Sequence, residues 1–430
     1  MRYTASVVWK KSNTETDGIK KIGIMKPALK KINSAFFPLF IILGGYIVPG
    51  TNNTPLGTVL VFLSALVFFC LKRNKSLYLN KLNNKLILFF ILYIAAQQVF
   101  VLAVFPTIPF GAHIKNLLMN VLAIFAILIL PEAMDEEGLE RSYLVFGLIA
   151  CLGLLLQTFQ VYVLHGLTRM IVLPGMGSFL SEGTRNYIDY SYNRGRPSAF
   201  FTEPSAFATF LAPLVIMMLR KGKLFVAAIA SICMLLSTST IGIFLVGAIW
   251  AYWVMFTVPK KGQRVIAIFL FLAACIWIFN SPLFAKAITK LLNTNLLSNE
   301  RSASALTILR QMPFMDILTG IGGTNVSNYI YSIRQMNMSD VAVTSQGYVT
   351  SGFGNFIIYG LLGGLLYIYL CIKMAIKADK WSRLIALLIL VLSFVQTITF
   401  NLSGIQWFVF YALMRKSEAA RISDKDGENR

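Results

Sequence analysis

Residues 142–164 read SYLVFGLIACLGLLLQTFQVYVL, a run without a single charged side chain. At about 1.5 Å of rise per residue, a helix of this length crosses the roughly 30 Å hydrocarbon layer of a bilayer. The run has many companions. Apolar segments also fall near 34–48, 56–71, 86–105, 114–131, 204–219, 224–237, 241–258, 265–282, 352–372, 384–400 and 403–414. The chain has 430 residues, 57% of them hydrophobic and 13% charged, and its mean hydropathy is +0.68. A soluble domain of this size cannot hide that much apolar surface. Only structures that satisfy their own backbone polar groups survive in lipid. The expectation is therefore an all-α polytopic membrane protein with about 12 transmembrane helices.

Two divisions need a break inside an apolar run. The stretch 224–258 is too long for one helix and breaks at LSTST, residues 236–240. The stretch 384–414 splits near Asn401–Ser403, which leaves a short last helix. No internal repeat is visible, unlike the mirrored halves of many transporters.

Orientation follows from the basic residues. With the N-terminus inside, the inner segments are 1–33, 72–85, 131–141, 220–223, 259–264, 373–383 and 415–430, and they hold 29 of the 39 Lys and Arg. The flipped arrangement puts most of the positive charge outside. Segment 131–141 (PEAMDEEGLER) is acidic, yet the parity of the spans places it inside. The expected organisation is a basic cytoplasmic tail at 1–33, one transmembrane domain at 34–414 and a cytoplasmic tail at 415–430. Two large outer loops lie at about 165–203 and 283–351, and each is rich enough in apolar and aromatic residues to fold onto the membrane surface. The first 33 residues lack an apolar core, so the first apolar run reads as a retained span rather than a cleaved signal. The formal net charge of +21 serves topology and attraction to anionic lipid, not nucleic-acid binding. Five cysteines, none in a CxxC pair, and two distant histidines give no disulfide or metal framework.

The outer loops break the charge bias in a particular way. They hold seven Arg and two Lys, whereas the inner segments hold nine Arg and twenty Lys. A lysine suffices where only positive charge is needed. A planar guanidinium offers forked donors that match phosphate or carboxylate oxygens. The cluster reads as an outer anion site, whereas any single arginine taken alone reads more simply as a solvated loop charge paired with a nearby acid.

The first loop ends in RGRPSAFFTEPSAF, residues 194–207. Pro197 favours an extended Arg196, and in extended chain Arg194 and Arg196 project to one side. Pro204 suits the first turn of a helix, which leaves Glu203 at the cap. Phe200 and Phe201 suit the membrane–water boundary. Glu203 is either a general base for a hydroxyl, an orienting partner for Arg196, or a helix cap with a structural salt bridge. The second loop holds ERSASALTILRQMPFMDILTGIGGTN, residues 300–325. Leu306, Leu309 and Met312 form a helical stripe. Arg301 and Arg310, nine positions apart, face opposite ways on a straight helix. The turn at Gly320, Gly322 and Gly323 exposes backbone amides that either bind an anion or simply turn the chain.

At these residues the chain resembles the O-antigen polymerase and ligase superfamily, specifically the Wzy-type polymerases of bacterial surface polysaccharide. The layout of about twelve spans and two large periplasmic loops covers nearly the whole chain. Three short motifs carry the rest. The first runs from Arg196 through Phe201 to Glu203, Pro204 and Ser205. The second is Arg301 followed by Pro313 and the Gly320–Gly322 turn. The third is SGFGNFIIYGLLGG, residues 351–364. Ligases of the superfamily carry a histidine before the third motif; TSQGYVTSGFGN here has none, which favours a polymerase.

The resemblance implies transfer of a growing glycan from undecaprenyl pyrophosphate to a sugar hydroxyl of a lipid-linked repeat unit, at the periplasmic face of the bacterial inner membrane. Arg196 and Arg301, then Arg194 and Arg310, would bind the pyrophosphate. Glu203 would orient or act as base, and Tyr187, Tyr190 and Tyr192 would stack on sugar. No cofactor or metal is expected, since arginines can neutralise a pyrophosphate unaided and the outer loops hold no DxD-like pair. The expected partners are lipid-linked oligosaccharides, the bilayer, a chain-length regulator and a flippase. A ligase-like transferase and a lipid-linked oligosaccharide flippase or transporter are the alternatives.

Overall fold

The computed structural model of the chain describes residues 13–51, 54–71, 84–105, 110–166, 168, 170–180, 196–258, 261–282, 284–285, 288–289, 292, 300–323, 326, 329–330, 350–376 and 378–428. Among them the regular structure is helical, apart from one isolated bridge between Ile47 and Pro55. The helices are α1 (Asn13–Ile42), α2 (Leu56–Leu71), α3 (Asn84–Val104), α4 (Phe110–Ala133) and α5 (Glu136–Tyr162). After the first loop come α6 (Pro204–Arg220), α7 (Leu224–Leu236), α8 (Thr240–Phe256) and α9 (Lys261–Asn280). The second loop carries α10 (Glu300–Gln311) and α11 (Phe314–Thr319), and the chain ends with α12 (Ser351–Ile376), α13 (Lys380–Val395) and α14 (Leu402–Glu428).

Five stretches are long and apolar enough to cross a membrane: Pro27–Gly45, His113–Ala133, Glu136–Tyr162, Lys261–Asn280 and Ser351–Ile376. Shorter apolar helices pack among them, including all of α2, α6, α7 and α8. The chain is an all-α membrane protein. One interior layer is made by α6, which buries every residue from Phe207 to Leu219. It packs between α5, α7, α8 and α14. A second layer joins α12 to α13, α13 to α14, and α14 to α4.

The helix ends have local causes. Asp135 caps α5 by accepting from the Gly138 amide at 2.8 Å, and Glu136 and Glu137 follow in its positive first turn. Asp379 caps α13 through the Ser382 amide at 2.9 Å. Helix α6 stops in a Schellman turn. The Lys223 amide reaches the Met218 carbonyl at 2.8 Å, the Gly222 amide reaches Leu219 at 3.1 Å, and Gly222 takes a φ of +72°. The break between α7 and α8 falls at Ser237–Ser239, inside the LSTST run, with Thr238 at a φ of +52°. The last break comes earlier than the sequence suggested. It occupies Gln396–Asn401, with Phe400 at a φ of +56°. The last helix is not short, because its polar end continues to Glu428. At the other terminus α1 likewise begins at Asn13, within the basic tail.

Among the described residues, parts of the lysine-bearing segments meet at one end of the bundle. Asn33 donates to the Ala133 carbonyl at 3.3 Å and Lys416 to the Pro131 carbonyl at 3.3 Å. Tyr252 donates to the Lys380 carbonyl at 2.6 Å, and Tyr411 ties α14 to the Met374 carbonyl at 3.1 Å. Here too lies the reason for the acidic PEAMDEEGLER. Glu136 pairs with Arg220 at 2.5 Å, while Glu140, itself buried, takes Lys221 and, at 3.2 Å, Lys223. The acids of 131–141 neutralise the bases of 220–223, so both segments share one end.

The opposite end gathers the two long loops. Leu173 donates its amide to the Tyr46 hydroxyl at 2.8 Å and Ile47 donates to the Phe179 carbonyl at 2.6 Å. Helix α12 is interrupted at Gly360, whose φ of +74° and ψ of −179° break the helical ladder. Gly320, with a φ of +75°, crosses Gly360 so closely that a methyl there would lie 2.6 Å from the Ile358 carbonyl oxygen. The second loop is thus inserted against the middle of α12, not merely laid over its end.

Candidate functional site

The FFTEPS entry is built from a tight turn. The Phe201 amide returns to the Ser198 carbonyl at 3.1 Å, and Ala199 is forced to a φ of +51°. Such a conformation is costly for a residue with a Cβ, so something must hold it. Gln157 of α5, buried at 3% exposure, accepts from the Ser198 amide at 2.9 Å and the Ala199 amide at 2.8 Å through one oxygen. On the turn's far side the Ile171 amide donates to the Ala199 carbonyl at 2.8 Å. Gly153, one turn before Gln157, leaves room: a methyl there would sit 3.1 Å from Ile171 and 3.4 Å from the Phe200 ring. Phe201 points inward, against Phe207 and Phe210 at ring distances of 6.1 and 5.1 Å. It is a core anchor and not a boundary residue as its sequence position suggested, because the turn aims it down the α6 axis.

Arg196 precedes this turn and is half-buried. Its Nη2 donates to the Thr238 carbonyl at 3.0 Å. That carbonyl lies in the α7–α8 break, where the left-handed Thr238 lies outside the regular helices. The guanidinium thus links the turn before α6 to the α7–α8 break. Glu203 occupies the N-cap position of α6, with Pro204 at the first helical position. Its carbonyl accepts the Ala206 and Phe207 amides at 3.1 and 3.2 Å. Its side chain makes no capping bond and instead accepts the Ser205 hydroxyl at 2.9 Å.

One turn on, the Thr209 hydroxyl donates to the Ser205 carbonyl at 2.8 Å, and its oxygen lies 3.3 Å from the side-chain oxygen of Gln396. The Gln396 backbone carbonyl in turn accepts the Ser351 amide at 3.0 Å. The Ser351 hydroxyl oxygen takes the Ile398 and Thr399 amides, each at 2.7 Å. The first motif and the start of the third are thus joined through the α13–α14 break.

The second motif meets the third by backbone. Ile321 and Gly322 donate to the Ile357 and Ile358 carbonyls at 2.9 and 3.0 Å, and Gly320 donates to Asp316 at 2.8 Å. These amides belong to the fold: the glycine turn replaces helical hydrogen bonds lost at Gly360. Two side chains of α3 complete the replacement, Tyr93 donating to the Tyr359 carbonyl at 2.6 Å and Gln97 to both Thr319 and Ile358 at 3.0 Å. The buried stripe of α10 is Ala305, Ile308 and Met312, with Leu306 and Leu309 only half-buried, so the helix is rolled from the stripe expected.

Arg310 is exposed in the last turn of α10. Arg301 lies in the first turn of the same helix, and its side chain falls outside the described residues, as do Arg194, Tyr187, Tyr190 and Tyr192. Sequence reasoning assigned no role to Gln157, Gln396 and Ser351. For the two glutamines the available signal was an amide side chain in an otherwise apolar run, which is stable only where it is hydrogen-bonded. Among the described residues no group of three or more His, Cys, Asp or Glu is placed to hold a metal. No protein-family model matches the chain, and no curated protein matches it.

Proposed function

We propose that this protein is a membrane glycan polymerase of the Wzy type. It would lie in the bacterial inner membrane with its site toward the periplasm. There it would move a growing glycan from undecaprenyl pyrophosphate to a sugar hydroxyl of a lipid-linked repeat unit. A flippase would supply the repeat units and a chain-length regulator would set their number. The observation that carries the reading is the linkage of the three motifs at one end of the bundle, with Arg196 tethered to Thr238 and Glu203 at the mouth of α6.

In this reading the acceptor hydroxyl oxygen attacks the anomeric carbon and the carbon–oxygen bond to pyrophosphate breaks. The leaving group gains negative charge, and fixed guanidinium donors stabilise it where it develops. Arg196 serves this role, and Arg301, Arg194 and Arg310 are its candidate partners from the two loops. The hydroxyl proton passes to a carboxylate, for which Glu203 is the candidate, held by Ser205. Tyr187, Tyr190 and Tyr192 would flank the sugar. Holding two lipid-linked substrates in line supplies much of the remaining acceleration.

The interrupted α12 bears on the transporter alternative. Transporters leave the carbonyls of a broken helix free to coordinate their cargo. Here the carbonyls of Ile357, Ile358 and Tyr359 are taken by Ile321, Gly322, Gln97 and Tyr93, which weighs against that use. The test is the surface polysaccharide of a deletion strain. The polymerase reading expects single repeat units reaching the surface, and long chains restored by the wild-type chain but not by Arg196→Ala. Repeat units trapped on the cytoplasmic face, or normal long chains with Arg196→Ala, would overturn it.

A further inference from the structure

Helix α11 exposes large apolar side chains: Phe314 is 70%, Met315 67% and Leu318 41% exposed. On a loop in water this is a liability. Two independent registers place it elsewhere. Gly320, the residue after α11, crosses Gly360. Counting the roughly 20 residues of a span back from Lys373 puts the hydrocarbon boundary near Phe353, so Gly360 lies about 10 Å inside it. On α3, Gln97 binds the Thr319 carbonyl at 3.0 Å, and Gln97 precedes the helix end at Val104 by roughly 10 Å of rise. Both helices put the tip of α11 at the same depth.

The polar groups of the segment agree with that depth. Irregular backbone at membrane level is tolerated only where protein satisfies it. Gly320, Ile321 and Gly322 are buried, and all three amides have protein acceptors. Thr319 turns its hydroxyl back to the Met315 carbonyl at 2.9 Å, and Asp316 takes the Tyr329 hydroxyl. The segment is polar toward the protein and apolar away from it.

We infer that Phe314–Gly323 is a re-entrant membrane segment, and that Phe314, Met315 and Leu318 form a contact surface for lipid acyl chains. The second loop thus enters the leaflet it was expected to cover. This inference does not depend on the proposed reaction.

The test uses the full-length wild-type chain in phosphatidylcholine vesicles doped with a lipid bearing a diazirine on its acyl chain. After irradiation, adducts are mapped by peptide mass spectrometry, with α9 as the lipid-facing reference, since none of its residues is buried. Adducts on 314–318 at a level comparable to α9 are expected. Their absence while α9 is labelled overturns the inference, whether water or protein covers the segment. A second arm compares Leu318→Cys with Ser178→Cys, an exposed loop position, for reaction with a membrane-impermeant maleimide. Thiolate formation is suppressed in an apolar environment, so Leu318→Cys should react at least about tenfold more slowly. Equal rates would place it in water and refute the proposal.

Discussion

Replacing Gln157 with leucine tests whether the site is held by its frame. The substitution keeps much of the volume and apolar character of the site but removes the oxygen that accepts the Ser198 and Ala199 amides at 2.9 and 2.8 Å. Both donors lie in a buried turn. A buried donor left unsatisfied costs about 1–3 kcal/mol, so the native turn loses about 2–6 kcal/mol relative to a relaxed one. Ala199 at a φ of +51° adds its own tendency to relax. Even the lower figure shifts the population of the ordered turn by about 30-fold. Arg196 would leave Thr238, and Phe201 would leave its place beside Phe210. Limited proteolysis of the purified protein in detergent should show faster cleavage within 196–203. Cells carrying the variant should make short chains or single repeats although the protein still reaches the membrane. Gln157→Glu retains an acceptor for both amides and should retain much of the order. A Gln157→Leu protein with wild-type proteolysis and full-length polymer would refute the reasoning.

Gly360→Ala and Gly320→Ala each place a methyl against backbone at a φ near +75°; each should destabilise the protein by about 2 kcal/mol or more, read as a lower midpoint in thermal unfolding. Arg220→Ala removes a side chain that is 3% exposed and leaves Glu136, which water still reaches at 26% exposure, without its partner; it should cost about 1–3 kcal/mol, whereas Arg141→Ala, on an exposed pair with Glu137, should change stability by less than about 1 kcal/mol. Ser351→Ala frees the Ile398 and Thr399 amides at about 1–3 kcal/mol each, and hydrogen exchange at those two amides should quicken.

The all-α character was legible because the apolar runs are many and nearly free of charge, and five of them lie in helices long and apolar enough to cross a membrane. The LSTST break and the N-cap place of Glu203 were legible for local reasons, namely hydroxyl-rich residues and a following proline. The course of the second loop was not. Nothing local marks Gly320 and Gly360 as partners, because a crossing of two backbones depends on the absence of side chains at positions distant in sequence. The glycine turn reads as either an anion site or an ordinary turn until its Ile321 and Gly322 amides are seen to reach the Ile357 and Ile358 carbonyls. Gln157 and Gln396 are polar residues inside apolar runs, but their side-chain partners are backbone amides and a threonine, which carry no recognisable pattern. The acidic 131–141 segment looked like an exception to the charge rule until Arg220, Lys221 and Lys223 were found against it.

The most direct test of the central claim is reconstitution. Purified protein in proteoliposomes is given undecaprenyl-pyrophosphate-linked repeat units from the source strain, and products are resolved by gel and by assay of released undecaprenyl pyrophosphate. The polymerase reading predicts a ladder of chains with one carrier released per bond formed, lost in Arg196→Ala and diminished in Glu203→Gln. Neither chains nor released carrier from a folded protein supplied with the repeat unit of its own strain would contradict it.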